Sequence, residues 1–315
     1  MIVTVTPNPS VDRTVEVRHL VRGAVLRATA ARVDPGGKGV NVARALAAHG
    51  HKVATVLPCG GHEGRQLAAL LEPDGVGLVC VPITNAVRAN ISIVEPDGTV
   101  TKINEPGPEL STAEATALAA AAIEAGRQDT EWVVCSGSLP RGISASFYRD
   151  LVGVLRASGV RVAVDSSGAA LAEALSSRPD LIKPNREELA EAAGMPVRTL
   201  GEAVRAATVL RGRGAATVLA SLGADGALLV DQSGPHHGNA PVDSPRGAVG
   251  AGDAMLAGFL SAGGAGPTAL AEALAWGAAA ASLPGSRMPG PADLDRAAVR
   301  IHRHLEQDRV LRERS

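Results

Sequence analysis

Asp253 stands at the junction between a glycine-rich turn, Gly250-Ala251-Gly252, and the apolar run Met255, Leu256, Phe259 and Leu260. The i, i+1, i+4, i+5 spacing of that run is the spacing of a helix burying one face, so the acid sits at a helix entrance. An aspartate there caps orphan N–H groups or complements the helix dipole, for about 1 kcal/mol. A cap needs no glycines, however. Unhindered backbone N–H groups at a helix start also form a site for phosphate. An acid beside such a site can take the proton of a hydroxyl that attacks that phosphate. Both readings are open from this stretch alone.

The elements that would have to position such an acid follow a recognisable order. "MIVTVTPNP" is a strand from its second residue, and "PGGKGVNVARALAAHG" turns into a helix ahead of the buried strand "HKVATVLPCG". Two stretches lose this alternation: roughly residues 10–33, and roughly 84–105, where "RANISIVE", "PDG" and "TVTKIN" form a hairpin. From Ser111 onward helices alternate regularly with the strands "EWVVCSG", "VRVAVDSSG", "DLIKPN", "AATVLASLG" and "GALLVD". Buried strands alternating with amphipathic helices predict an α/β fold, a doubly wound, mostly parallel sheet flanked by helices. The two irregular insertions predict a small β-sheet lid beside it. The core would then comprise residues 1–9, 34–83 and 106–315, and the lid residues 10–33 and 84–105. The charged end "EQDRVLRERS" is expected to fray.

Polar and glycine clusters follow the strands, which is where this topology gathers its ligands. They are "NPSVD", "SGSLPRG", "DSSG", "KPNREE" and "SLGADG". Each taken singly is also an ordinary turn. Together at one sheet edge they suit a nucleotide and a polyol. No Walker A motif is present, because Lys38 in "DPGGKGVN" precedes a glycine and no hydroxyl residue follows it. The dinucleotide fingerprint fails as well, with Met255 where the third glycine would stand.

Composition removes other classes. A net charge of −1 and an aromatic content of 2% give no surface for nucleic acid. Cys59, Cys80 and Cys135 lie in or beside apolar strands without metal-ligand spacing, and are expected to be reduced core residues. The pairs His236-His237 and His302/His304 are expected on exposed loops or helix faces. The N-terminus lacks the basic and apolar regions of an export signal, and no alanine-rich stretch is long enough to span a bilayer. A cytoplasmic location, without membrane or nucleic-acid partners, is the expectation.

"PGGKGVNVARALA", "SGSLPRG", "KPNREEL", "SLGADGALL" and "VGAGDAMLAG", in this order and over essentially the whole chain, resemble the PfkB (ribokinase-like) carbohydrate kinases. The opening "TVTPNPSVDRTVEV" and the "GGKG" run are similar to the branch acting on phosphorylated ketohexoses, the 1-phosphofructokinases and tagatose-6-phosphate kinases. A ribokinase-like fold with a β lid, a homodimer paired through the lids, and transfer of phosphate from ATP with Mg²⁺ to a sugar-phosphate hydroxyl are what the resemblance implies. In a 1-phosphofructokinase the product would be fructose 1,6-bisphosphate. A 6-phosphofructokinase is a rival within the family, and a sugar-phosphate sensor without catalysis is the rival outside it.

The resemblance also implies roles. Asp253 matches the catalytic base, with a pKa near the ordinary value of about 4 expected to suffice. Gly250, Ala251 and Gly252 match the anion hole for the transferring phosphate. Asp12, Gly36, Gly37 and Asn41 match sugar contacts, and Lys38, Arg88 and Ser138 the partners of the phosphate already on the substrate. Arg27 is a further phosphate candidate, with a solvated surface arginine as the alternative. Asn185 and Glu188 match the N-x-x-E element that organises Mg²⁺, usually through water, on one helical face if Asn185 starts the helix. Ser221, Gly223 and Gly226 match a nucleotide-binding turn, with Lys183 near the same phosphates. The chain departs from many relatives in lacking hydroxyls at Gly247, Ala248 and Ala254, and in a short "AAAASLPGSRMPG" loop.

Overall fold

The computed structural model describes all residues except 128, 243–248 and 313–315. The departures noted at Gly247 and Ala248 therefore lie outside the described residues. In chain order the first half contains β1 (Ile2–Val5), β2 (Ser10–Glu16), β3 (Ala30–Gly36), α1 (Lys38–Ala48), β4 (Val53–Cys59), α2 (Gly61–Leu71), β5 (Gly77–Pro82), β6 (Arg88–Val94), β7 (Val100–Asn104) and α3 (Thr112–Gly126). The second half contains β8 (Trp132–Ser136), α4 (Phe147–Ala157), β9 (Arg161–Asp165), α5 (Gly168–Leu175), β10 (Leu181–Ile182), α6 (Arg186–Ala193), α7 (Leu200–Gly212), β11 (Thr217–Ser221), β12 (Ala227–Asp231), β13 (Gly234–Asn239), α8 (Ala251–Ser261), α9 (Gly266–Ser282) and β14 (Arg300–Ile301).

The main sheet has the order β14-β13-β12-β11-β10-β9-β8-β1-β4-β5. It is parallel from β5 through to β11, and β12, β13 and β14 extend it antiparallel. Period-two alternation feeds two cores. Val133 and Cys135 of β8 face one core, with α3, α4, α5, α6 and α7, while Trp132 and Val134 face the other, with α1, α8 and α9. The chain winds one way from β1 through β4 to β5 and the other way from β8 onward. A crevice therefore opens at the carboxyl ends of β1 and β8, where ligands of such sheets bind.

A second sheet, β3-β2-β6-β7, is built from the two irregular insertions. β2 pairs with β3 antiparallel and with β6 in parallel, and β6-β7 is the hairpin expected from "PDG". β3 runs on to Gly36, so this sheet ends directly against the first turn of α1.

Several expectations are corrected. Cys59 and Cys80 are joined by a disulfide between the neighbouring strands β4 and β5, and only Cys135 is a free, buried thiol. Register explains the encounter, since Leu57 pairs with Cys80 and Cys59 with Pro82. His236 and His237 lie in β13, and His237 is buried, stacks on His302 and hydrogen-bonds the Asp225 carbonyl. The chain end does not fray over its described residues, because Leu311 is buried and Arg309 pairs with the buried carboxylate of Asp225. Strands β13 and β14 leave no pattern in the sequence, being short or interrupted by glycine, proline and histidine, and β5 shows there only as the apolar run around Cys80.

Candidate active site

The residues expected to contact a sugar assemble where the small sheet meets the crevice. Asp12, on β2, accepts hydrogen bonds at Oδ1 from Ser10 Oγ at 2.7 Å and Asn90 Nδ2 at 2.9 Å. Gly36 lies against it, since a Cβ there would stand 2.4 Å from the Asp12 carboxylate. Gly37 holds φ at 116°, a left-handed conformation that L side chains rarely adopt, and so turns the chain from β3 into α1. Arg88 opens β6 and donates to the carbonyls of Glu105 and Asn8. Burial pulls its guanidinium below the usual arginine range, with Asp12 and Glu105 opposing. Asn8 Nδ2 in turn donates to Ser138 Oγ at 3.2 Å. Arg27 is exposed in the segment between β2 and β3.

The second cluster surrounds Asp253 in the first turn of α8. Gly250 caps that helix with φ at 78°, and no side chain caps its start. The N–H groups of the turn thus face the crevice instead of a serine or aspartate. Asn41, buried in α1, donates from Nδ2 to Asp253 Oδ2 at 2.8 Å. Asp253 is 7% exposed. Its burial, and then the charge of Asp165, push the carboxyl up to about 6 against the pull of Lys183, the Asn41 hydrogen bond and Lys38. The ordinary value expected from sequence is corrected accordingly: "DSSG" places a second acid behind the first.

Asp165 ends β9 fully buried and is flanked by two ammonium groups, Lys38 Nζ at 2.8 Å and Lys183 Nζ at 3.1 Å. Burial alone would raise it, but Lys183 and then Lys38 outweigh that and hold it below the usual carboxylate range. Lys38 also lies 3.5 Å from Glu188 Oε1. Burial would lower Lys38, but Asp165 and Glu188 hold it above the usual lysine value. The side chain expected to meet the substrate phosphate is thus directed to two acids beneath Asp253. Asp165, given no role from sequence, carries this network, and its signal was its place at a strand end in line with the other clusters.

Asn185 starts α6, as its spacing to Glu188 predicts. Its side chain accepts from Glu188 N at 2.9 Å, and Glu188 Oε2 accepts from Asn185 N at 2.8 Å. Glu188 Oε1 is left to face Lys38. Among the described residues no group of three His, Cys, Asp or Glu is placed to hold a metal ion. Glu188 Oε1, the carboxylate oxygen that the capping box does not use, suits Mg²⁺, which keeps several waters and takes oxygens from a phosphate. Ser221 ends β11 and bridges to Asn185. Gly223 turns at φ 62° into open space, whereas Gly226, at φ 88°, packs against the Gly238 carbonyl, so its glycine is required by strand pairing. Lys183 reaches under Gly252, where a Cβ would be 3.3 Å from its Nζ.

Among the buried polar atoms that have no hydrogen-bond partner in the protein, four lie together: Thr6 Oγ1, Asn8 Oδ1, Asn41 Oδ1 and Ser136 Oγ. All belong to the carboxyl ends of β1 and β8 or to α1 beside them. Buried polar groups normally find partners. Thr6 and Ser136 lie in the quoted runs "TVTPNPSVD" and "SGSLPRG" but carry no assigned role there, since a hydroxyl at a strand end is also an ordinary turn residue.

The pattern of the pfkB family carbohydrate kinases matches residues 6–287. The chain belongs to that family. It is similar to the 1-phosphofructokinase of Rhodobacter capsulatus, 40% identical over 262 residues and 83% of either chain. It is also similar to the 1-phosphofructokinase of Haloferax volcanii, 41% identical over 267 residues, 83% of this chain and 84% of the other. Among solved structures it resembles phosphofructokinase-2 from Escherichia coli in complex with substrates and products, with a TM-score of 0.87, 30% identity, and coverage of 93% of this chain and 96% of that one. The fold is therefore ribokinase-like, and the chain from residue 288 on lies outside the family match. Among the described residues no helix is long and apolar enough to cross a membrane.

Proposed function

We propose that this pfkB kinase transfers the γ-phosphoryl group of ATP to the free terminal hydroxyl of fructose 1-phosphate, yielding fructose 1,6-bisphosphate and ADP. The observation that carries the reading is Asp253, a buried carboxylate one residue past Gly252 at an uncapped helix start. ATP brings the phosphoryl group and Mg²⁺ the counter-charge for its phosphates. Asn41 holds Asp253 Oδ2 and leaves Oδ1 for the hydroxyl proton. That proton passes to the carboxylate as the oxygen–phosphorus bond forms and the bond to the leaving ADP oxygen breaks. The N–H groups of Ala251, Gly252 and Asp253 meet the charge spreading over the phosphoryl oxygens. Lys183, under Gly252, adds a positive point charge there. Asp12 and Asn41 orient the sugar hydroxyls, and Arg88 and Ser138 bind the 1-phosphate. Lys38 is held by Asp165 and Glu188 and reaches the same phosphate only by leaving them. Glu188 Oε1, fixed by Asn185, would hold Mg²⁺ through water and supply counter-charge to the phosphates, and Ser221 and Gly223 border the nucleotide.

Residues 10–33 and 84–105 act as a lid on the remaining core. Its exposed apolar residues, among them Val21, Val25, Val100 and Ile103, pair two subunits. The test of the reaction is a coupled ADP-release assay with fructose 1-phosphate, fructose 6-phosphate and tagatose 6-phosphate side by side. Fructose 1-phosphate is expected to give the highest kcat/KM, and no ADP release with any of the three would sink the kinase reading.

A further inference from the structure

Among the described residues past 302 the chain forms no helix or strand, yet it is fastened at many points. Gly201 N donates to the Gln307 carbonyl at 2.8 Å and Leu200 N to the Arg309 carbonyl at 3.0 Å. Leu311 N donates to the Arg198 carbonyl at 2.8 Å, and its side chain is buried in the core. A Cβ at Gly201 would stand 2.9 Å from the Gln307 carbonyl oxygen, so the glycine permits this approach. Residues 307–312 thus form a strap across the start of α7.

The strap reaches two elements of the site. Arg309 Nη2 donates to Asp225 Oδ1 at 2.8 Å, and Arg312 N donates to Asp225 Oδ2 at 2.6 Å. Asp225 is 1% exposed and closes the short turn Gly223–Asp225. His237 holds the carbonyl of the same residue. On the other side, Arg186, the first residue of α6, donates from Nη1 to the Arg312 carbonyl at 2.7 Å. Arg186 follows Asn185, whose backbone N–H holds Glu188. One short segment therefore braces the turn after β11 and the start of α6. Arg309 supplies the shorter of two ion pairs to this buried carboxylate, at 2.8 Å against 4.0 Å for Arg312 Nε.

We propose that residues 307–312 are a strap that holds the nucleotide-binding turn in its binding conformation, with Arg309 as the positioning residue. The proposal rests on the reading of ATP as donor given above. The strap touches neither the sugar-side cluster nor Asp253, so its effect falls on the nucleotide and not on the sugar or on proton transfer. Coupling is reciprocal, so a nucleotide that prefers the braced turn also holds the strap in place.

The experiment compares full-length wild type, Arg309→Met and Arg309→Lys. Binding of a non-hydrolysable ATP analogue is measured by calorimetry, and KM for ATP and for the sugar phosphate by steady-state kinetics. Arg309→Met is expected to weaken nucleotide binding and raise the KM for ATP about tenfold, with kcat and the KM for sugar phosphate within about twofold. Arg309→Lys is expected to recover part of the loss. In wild type, where folding of a variant is not at issue, the analogue is expected to slow carboxypeptidase release of residues 307–312 severalfold. Equal changes in both KM values, an unchanged nucleotide affinity in Arg309→Met, or release unaffected by the analogue would each overturn the strap. A wild type that binds no ATP analogue at all would instead sink the donor reading, and the strap with it.

Discussion

Asp253 lies between opposed electrostatic demands. Burial and the Asp165 charge favour its acid form, while Lys183, Asn41 and Lys38 favour its anion, and the balance settles at about 6. Such a group is mostly ionised at pH 7 yet a far better proton acceptor than a solvated aspartate. Turnover is expected to fall as pH drops through about 6, where Asp253 takes up a proton and loses its acceptor. The pH profile of kcat/KM is the check, and an activity that stays level down to pH 5 would contradict it. Replacing Asp253 by Asn should lower kcat by about 10²–10⁴-fold while leaving nucleotide affinity largely intact, since only the proton acceptor is removed. The glycine turn and Asp253 were legible in sequence because a helix period begins abruptly after them. The shift was not, because it depends on the burial of Asp253 and then on Asp165 beside it, both created by the fold and not by local sequence.

At the scale of elements, the glycines of the turn proposed to border the nucleotide divide by purpose. Gly223 bends into open space, while Gly226 has φ at 88° and its absent Cβ would meet the Gly238 carbonyl at 2.0 Å. Gly226→Ala should therefore cost about 1–3 kcal/mol from backbone conformation alone, with the clash against β13 added. Urea unfolding measures it, and an undiminished midpoint would show that the two strands can part at no cost. Motif spacing marked both glycines alike. Only the antiparallel pairing of β12 with β13 distinguishes them, and β13 was invisible in sequence because "GPHHGN" has neither alternation nor β-branched residues. The same limit applies to Lys38. Its motif put it at the sugar, whereas the fold carries β9 and α6 beneath α1 and offers its ammonium two carboxylates.

Across the whole molecule, the regular alternation of strands and helices made the parallel sheet readable, and the loss of that alternation made the small second sheet readable. Pairing partners were not, since strands from distant parts of the chain compete for the same neighbours. The proposed pairing of subunits through the lid is checked by sedimentation: wild type is expected as a dimer, and Val25→Asp, at a residue 93% exposed, should shift it to a monomer by leaving a charge to be buried at the interface. A monomeric wild type would remove that pairing.

β1 precedes in sequence both strands that flank it, pairing with β4 at Val53 and with β8 at Trp132. During synthesis the ribosome delivers β4 early, but β8 emerges only after more than a hundred further residues have followed β1. Until then one edge of the future sheet centre has no hydrogen-bonding neighbour. The nascent polypeptide must keep that apolar edge from pairing with other chains, and this is the interval in which a chaperone has most to protect.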